Sequence, residues 1–111
     1  MRDVNMACAI ESNSSAAALT VNASNTPSAD ECVQVVAFSG TSHDQAFTVT
    51  LMVAGDEVCT LHGAADTTQG MTFFGDGPVA TNGGALQVET SCQAAPNTGQ
   101  LTANLFYKTI Y

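Results

Sequence analysis

The stretch GGALQVETSCQAAPNTGQLTANLFYKTIY, residues 83–111, carries the clearest strand pattern in the chain. In its first half, alternate residues place the apolar side of a strand at Leu86, Val88, Thr90 and Cys92. After a turn-rich loop over 94–99, the alternation resumes with Leu101, Ala103, Leu105 and Tyr107. A period of two indicates strands that bury one face. The stretch therefore predicts a closing β-hairpin that runs almost to the C-terminus.

The rest of the chain consists of short apolar runs divided by turns. Six further strands are predicted, over residues 4–10, 17–23, 32–38, 47–53, 58–62 and 71–74. The run at 32–38 is apolar on both phases, which is typical of a central strand. A tight turn at 54–57 joins two of the strands into a second hairpin. Eight strands and no helix predict a single domain over 1–111, an all-β antiparallel β-sandwich that is jelly-roll-like.

The charge of the chain excludes several kinds of partner. Ten acidic residues stand against two basic ones, Arg2 and Lys108, and the formal net charge is −8. A surface that attracts phosphate backbones or anionic lipid needs clustered lysine and arginine. We therefore expect no nucleic acid and no membrane as partners. Charged residues make up only 11% of the chain, against about a quarter in ordinary soluble domains, so the surface is largely neutral and polar.

The four cysteines leave two interpretations open. Three of them share a strand face with apolar residues, namely Cys8, Cys59 and Cys92. The fourth, Cys32, opens an apolar strand. This placement favours buried thiols that act as small core residues and form no disulfide. Two disulfides, with three possible pairings, are the alternative in a secreted protein. A metal site is disfavoured because the chain has no Cys-x-x-Cys pair.

Residues for catalysis are sparse. Only His43 and His62 offer a base that titrates near neutral pH. Ser42, His43 and Asp44 are immediate neighbours, and such neighbours do not form the spatial relay of a hydrolase triad. Cys59 and His62 are an odd number of positions apart on one predicted strand, so they point to opposite faces. We therefore expect a protein that is not an enzyme.

Two kinds of ligand remain as alternatives for the function. Acidic turns at Asp56, Glu57, Asp66 and Asp76 offer oxygen ligands to calcium, although Asp-Gly is first of all a turn dipeptide. Carbohydrate sites often use aromatic rings, and outside the predicted core strands the candidates are Phe73, Phe74, Phe106, Tyr107 and Tyr111. A secreted carbohydrate- or calcium-binding sandwich is therefore the second hypothesis, although we predict no metal or cofactor ligands.

The C-terminal segment is the predicted interface. Aromatic and apolar residues crowd it where most chains fray, and interfaces favour such anchors. Phe106 also lies on the polar phase of its strand. The predicted interface residues are Phe106, Tyr107, Ile110 and Tyr111. The sheet edges have little protection by charge, since Lys108 is the only lysine. We therefore expect an oligomer or a partner that covers an edge.

In style, the chain resembles the small decoration or cement proteins of tailed-phage capsids. The resemblance rests on a charge-poor sandwich rich in Ala, Thr and Gly that ends with GALQVE at 84–89 and LFYK at 105–108. It implies a virion protein, a homotrimer or other small oligomer, that clamps neighbouring subunits of the major capsid protein from outside. Residues 1–6 lack the basic start and apolar run of a secretory signal. Either a signal peptide has been removed or the protein is made in the host cytoplasm and used there.

Overall fold

The computed structural model describes residues 9–15, 19–81, 83–93 and 101–110, and these residues form nine β-strands. Alternation of apolar and polar residues places one face of most strands in the core. The strands are β1 (Ala9–Ser15), β2 (Thr20–Asn25), β3 (Cys32–Ser42), β4 (Phe47–Val53), β5 (Asp56–Gly63), β6 (Thr67–Thr72), β7 (Val79–Thr81), β8 (Leu86–Cys92) and β9 (Leu101–Thr109). Within the described ranges, no helix has the length and hydropathy to span a membrane.

The strands form two antiparallel sheets that pack face to face. Sheet A has the order β1-β9-β3-β6, and the short β7 also pairs with β3. Sheet B has the order β2-β8-β4-β5. When β7 is set aside, this interleaving of strands from both ends of the chain is the connectivity of a jelly roll. The predicted all-β antiparallel sandwich of jelly-roll type is confirmed, with nine strands instead of eight.

The predicted closing hairpin is wrong, although both of its strands exist. β8 pairs with β2 and β4 in sheet B, whereas β9 pairs with β1 and β3 in sheet A. Each strand is therefore flanked on both sides in a different sheet, and the chain crosses the sandwich between them. The hairpin predicted at residues 54–57 is confirmed as β4 and β5, which are joined by the two residues Ala54 and Gly55.

Several other strands differ from the sequence prediction. Strand β1 begins at Ala9 and includes the polar residues 11–15 that were predicted as a turn; residues 4–8 lie outside the described ranges. Strand β6 starts at Thr67, within a predicted connection, and β7 was not predicted. Strand β3 is central but has a β-bulge between Val35 and Ala37. The bulge shifts the alternation of the strand by one residue. This shift explains the nearly continuous apolar run at 32–38 in a strand that is covered on one face only.

The core lies between the sheets and contains the side chains predicted from the alternation. Phe38, Leu51, Leu86, Leu101 and Leu105 are its largest fully buried side chains. Cys32 is buried, and Cys59 and Cys92 are half-buried against this core. No disulfide joins these three cysteines to each other. Cys8 lies outside the described residues, so the thiol state of the whole chain stays a prediction.

Candidate interaction surface

The outer face of sheet A is the candidate functional surface. Strand pairing fixes which residues point away from the core, because directly paired residues of an antiparallel sheet share a face. Three rows cross the sheet from β1 through β9 and β3 to β6. The rows are Ile10-Phe106-Ala37-Thr72, Ser12-Asn104-Ser39-Gly70 and Ser14-Thr102-Thr41-Thr68. Gln34, Lys108 and Val79 extend the face beyond the bulge. We call this surface the A face.

Charge separates the A face from the outer face of sheet B. Among the described residues, Lys108 is the only charged side chain on the A-face rows. Glu11 lies on β1 but belongs to the inward phase, where it accepts a hydrogen bond from the Tyr107 hydroxyl. Sheet B instead carries Glu89 on its central strand β8 and Glu57 on β5. In a chain of net charge −8, the A face is thus a neutral surface that a partner contacts with little desolvation of charge.

One half of the A face is polar. Its side chains hydrogen-bond to each other across strands: the Thr41 and Thr102 hydroxyls lie 2.5 Å apart, and Asn104 Nδ2 donates to Ser39 Oγ at 3.3 Å. Beside them, Ser12 and Ser14 line an open groove of about 370 Å³. These bonds fix the orientation of four side chains in the polar half.

The other half is apolar. Ile10 is 57% exposed, Val79 41% and Ile110 37%. Phe106 lies in the same row as Ile10 and lines a groove of about 340 Å³ together with Val36, Ala37, Met71 and Thr72. Ile10 and Phe106 are direct partners, whereas Gln34 and Lys108 lie between them and Val79. Exposed apolar side chains on one face mark an interaction site in a soluble protein. We call this half the apolar end and its depression the Phe106 groove.

Next to the apolar end, the loop between β6 and β7 presents Phe74 to solvent. Its side chain is 91% exposed, whereas the preceding Phe73 packs on Phe38 with ring centroids 6.3 Å apart. The backbone N–H of Phe74 donates to Asp76 Oδ1 at 3.2 Å. The side-chain amide of Gln34 donates to the Gly75 and Gly77 carbonyls at 3.1 and 3.0 Å. The loop is therefore well held, although it exposes a phenyl ring.

The predicted interface residues have different positions. Phe106 is half-buried on the A face and Ile110 is exposed, so both are available to a partner. Tyr107 is buried on the core side, where Asn25 Nδ2 donates to its hydroxyl at 3.1 Å. Burial raises the pKa of Tyr107, and the negative charge of Glu11 adds to the rise. Tyr107 is therefore a core residue that offers little to an interface, and Tyr111 lies outside the described residues.

The structure brings together only part of the polar motifs noted in the sequence. His43 Nδ1 lies 2.8 Å from Asp44 Oδ1 and 3.6 Å from Asp66 Oδ1. The hydrogen bond and charge of Asp44, followed by the charge of Asp66, raise the pKa of His43. Asp56 begins β5, whereas Asp66 follows the end of the same strand. In the described ranges, no group of three or more His, Cys, Asp or Glu side chains is placed to hold a metal ion.

A cleft of about 460 Å³ opens at one end of sheet B, where β4 begins and β5 and β8 end. Gln45, Thr48, His62, Ser91 and Gln93 contribute to its lining. These amides, hydroxyls and imidazole are hydrogen-bond donors and acceptors. Sequence reasoning did not group them, because they are distant in the chain and only strand pairing brings them together.

No family model matches the chain, and no curated protein matches it. Among solved structures, the chain is similar to the EclA C-terminal domain, which is described as a sugar-binding protein. The match covers 98% of this chain and 81% of the other, with 15% sequence identity and a TM-score of 0.35. A likeness of this extent carries no argument about ligand or partner.

Proposed function

We propose that the protein is a structural interaction protein that binds other protein subunits through the A face. The observation that carries the proposal is the neutrality of this face in a strongly acidic chain. Its rows combine hydrogen-bonded hydroxyls and an amide with an apolar end. This mixture of an apolar patch with ordered polar groups is the composition of a protein interface.

The size of the A face indicates how such a protein binds. The four strands β1, β9, β3 and β6 contain 7, 9, 11 and 6 residues. With strands about 4.8 Å apart and about 3.3 Å per residue, they present about 500 Å². A stable interface buries about 800 Å² per partner, so one A face forms a contact at the weak end of the range. Weak contacts become strong when several linked copies bind a repetitive surface at once. The specific version that we propose is a decoration protein of a viral capsid, an oligomer bound to neighbouring copies of the major capsid protein.

A pair of matched variants tests the A face. Thr102 on β9 and Thr50 on β4 are both half-buried, face outward on an inner strand and contact a neighbouring threonine hydroxyl. Thr102→Lys places a charge in the proposed interface, and Thr50→Lys places the same charge on sheet B. The measurement is co-sedimentation of purified protein with large particles from its natural source.

We expect wild type and Thr50→Lys to sediment with the particles and Thr102→Lys to remain in the supernatant. The proposal fails if wild type stays in the supernatant, or if Thr102→Lys sediments as wild type does. Circular dichroism of both variants checks that the sandwich still forms.

A second candidate function is carbohydrate binding in the cleft at the end of sheet B. The cleft favours it because neutral hydroxyl and amide donors surround a volume large enough for a sugar. Binding to a glycan array that His62→Ala abolishes, and that His43→Ala and Thr102→Lys preserve, would favour this candidate. The absence of any glycan signal from wild type would reject it.

A further inference from the structure

We propose that the apolar end joins two copies of this chain, with Phe74 of each copy seated in the Phe106 groove of the other. The inference rests on the proposed function, since it names a second copy as one of the protein partners of the A face. It assigns the self-contact to the apolar end and leaves the polar half to the other partner.

The loop that exposes Phe74 is held firmly against sheet A. Gly75 has a φ of +90°, a conformation that glycine adopts without strain. At Gly77, an added Cβ would lie 2.0 Å from the Val35 carbonyl oxygen, so the loop packs directly on β3. The Phe73 N–H donates to the Val36 carbonyl at 2.8 Å. Because the loop backbone is already ordered, binding of the ring requires no further ordering of the loop, which is the property of an interface anchor.

The Phe106 groove is large enough for a phenyl ring. Its volume of about 340 Å³ exceeds the cavity of about 150 Å³ that holds benzene in an engineered core. The groove is open and lined by Val36, Ala37, Met71 and Phe106. Ala37, Thr72 and Phe106 share one row of the A face, so their side chains point to the side on which the groove opens.

Phe74, the anchor, and the Phe106 groove belong to one patch of the surface. Thr72 lines the groove, and Phe74 follows two residues later with 91% of its side chain exposed. A two-fold contact requires both halves of the contact on the same patch of each subunit. Phe74 and the Phe106 groove satisfy this requirement, which favours a second copy over an unrelated partner.

The distribution of charge also favours a contact at the apolar end. Most contacts between two copies of a chain with net charge −8 are opposed by repulsion. The patch carries Asp76 in the Phe74 loop and Lys108 on β9, whose charges are opposite in sign. Two copies therefore meet at the apolar end across a surface without local net charge.

Sedimentation velocity of the purified chain over a range of concentrations tests the anchor. Wild type is expected to show a reversible monomer–dimer equilibrium or a larger assembly that contains this dimer. Phe74→Ala should weaken self-association about 100- to 10,000-fold, because each dimer loses the burial of two phenyl rings. Leu19→Ala is the control, since Leu19 is 50% exposed outside the strands, and it should associate as wild type does. A monomeric wild type at millimolar concentration, or association unchanged by Phe74→Ala, overturns the inference.

A second pair of variants tests the groove. Thr72→Arg blocks it with a long charged side chain, whereas Thr68→Arg places the same side chain on the same strand and face, in the polar half. Thr72→Arg should weaken self-association, and Thr68→Arg should not. Because Phe74→Ala keeps the groove and Thr72→Arg keeps the anchor, an equimolar mixture of the two should form a dimer with one intact contact.

Failure of the mixture to associate more strongly than either variant alone would also overturn the inference. These measurements use the purified chain without particles, so a monomeric wild type that still sediments with particles would reject the self-contact and retain the proposed function.

Discussion

Gly40 of β3 lies directly opposite Thr90 of β8 inside the sandwich. A Cβ added to Gly40 would lie 2.3 Å from Thr90 Oγ1 and 2.6 Å from Val49 Cγ2. The absence of a side chain at Gly40 therefore allows the two sheets to approach here. Gly40→Ala should lower the free energy of unfolding by about 1–3 kcal/mol, because the neighbours must shift. Urea denaturation measures the loss. Thr90→Ala should relieve part of it in the double variant, and strictly additive effects would contradict this packing.

The Thr90 hydroxyl supports a second prediction. Its oxygen is fully buried and has no hydrogen-bond partner among the described residues. An unsatisfied buried hydroxyl costs about 1–3 kcal/mol. Thr90→Val replaces it by a methyl group of similar size and should raise the free energy of unfolding by about 1 kcal/mol. Thermal denaturation provides the measurement, and a lower stability would show that the hydroxyl is hydrogen-bonded.

Tyr107 makes the stability of the fold sensitive to alkaline pH. Burial raises the pKa of its phenol in the folded protein above the usual value of 10.0. The unfolded chain therefore releases this proton first as the pH rises, and the release favours unfolding. Stability linked to Tyr107 should be intact below pH 10 and decline as the pH rises through the folded pKa. Tyr107→Phe should flatten this decline in urea titrations. An equal slope in wild type and Tyr107→Phe would contradict the prediction.

His43 should titrate above the ordinary histidine pKa of 6.5, since Asp44 and Asp66 favour its charged form. Any stabilisation from these contacts is fully present below the unfolded pKa and is lost as the pH rises through the folded pKa. The pKa is measured from the imidazole proton resonances by NMR. Asp44→Asn should lower it more than Asp66→Asn, because Asp44 is hydrogen-bonded to the ring and Asp66 is farther away. The opposite order would contradict the geometry.

Alternation in the sequence identified β4 and β8 with their full bounds and the regular part of β9, because burial of one face imposes a period of two. It did not identify the partners of β8 and β9. Two strands close in sequence often pair with each other, but here each has its neighbours from the distant half of the chain. Local pattern carries no information about such pairing. The predicted first strand ended at Ile10 for a related reason: residues 11–15 have turn propensity, and pairing with β9 overrides it.

The candidate surface was partly predictable in the same way. Phe106 stood out because an aromatic residue occupied the outward phase of its strand, and the structure places it on the A face. Tyr107, the next residue of the same strand, is the opposite case, because its position on the inward face already indicated burial. Phe74 follows β6 in a loop, where no periodicity applies, so its exposure depends on how Phe73 packs and how Gln34 binds the loop. The neutrality of the A face also required the strand pairing, since it is a property of several strands together.

The turn between β4 and β5 gives a final prediction. Val53 pairs with Asp56, so Ala54 and Gly55 are the two central residues, with φ values of 52° and 88°. Positive φ at both positions is the type I′ pattern, for which Asn-Gly is strongly preferred. Alanine has a Cβ that disfavours this conformation, whereas asparagine tolerates it. Ala54→Asn should therefore raise the free energy of unfolding by about 0.5–1 kcal/mol. Ala54→Val, which is β-branched, should lower it. Urea denaturation of both variants measures the change, and a stabilising valine would show that the turn is not of this type.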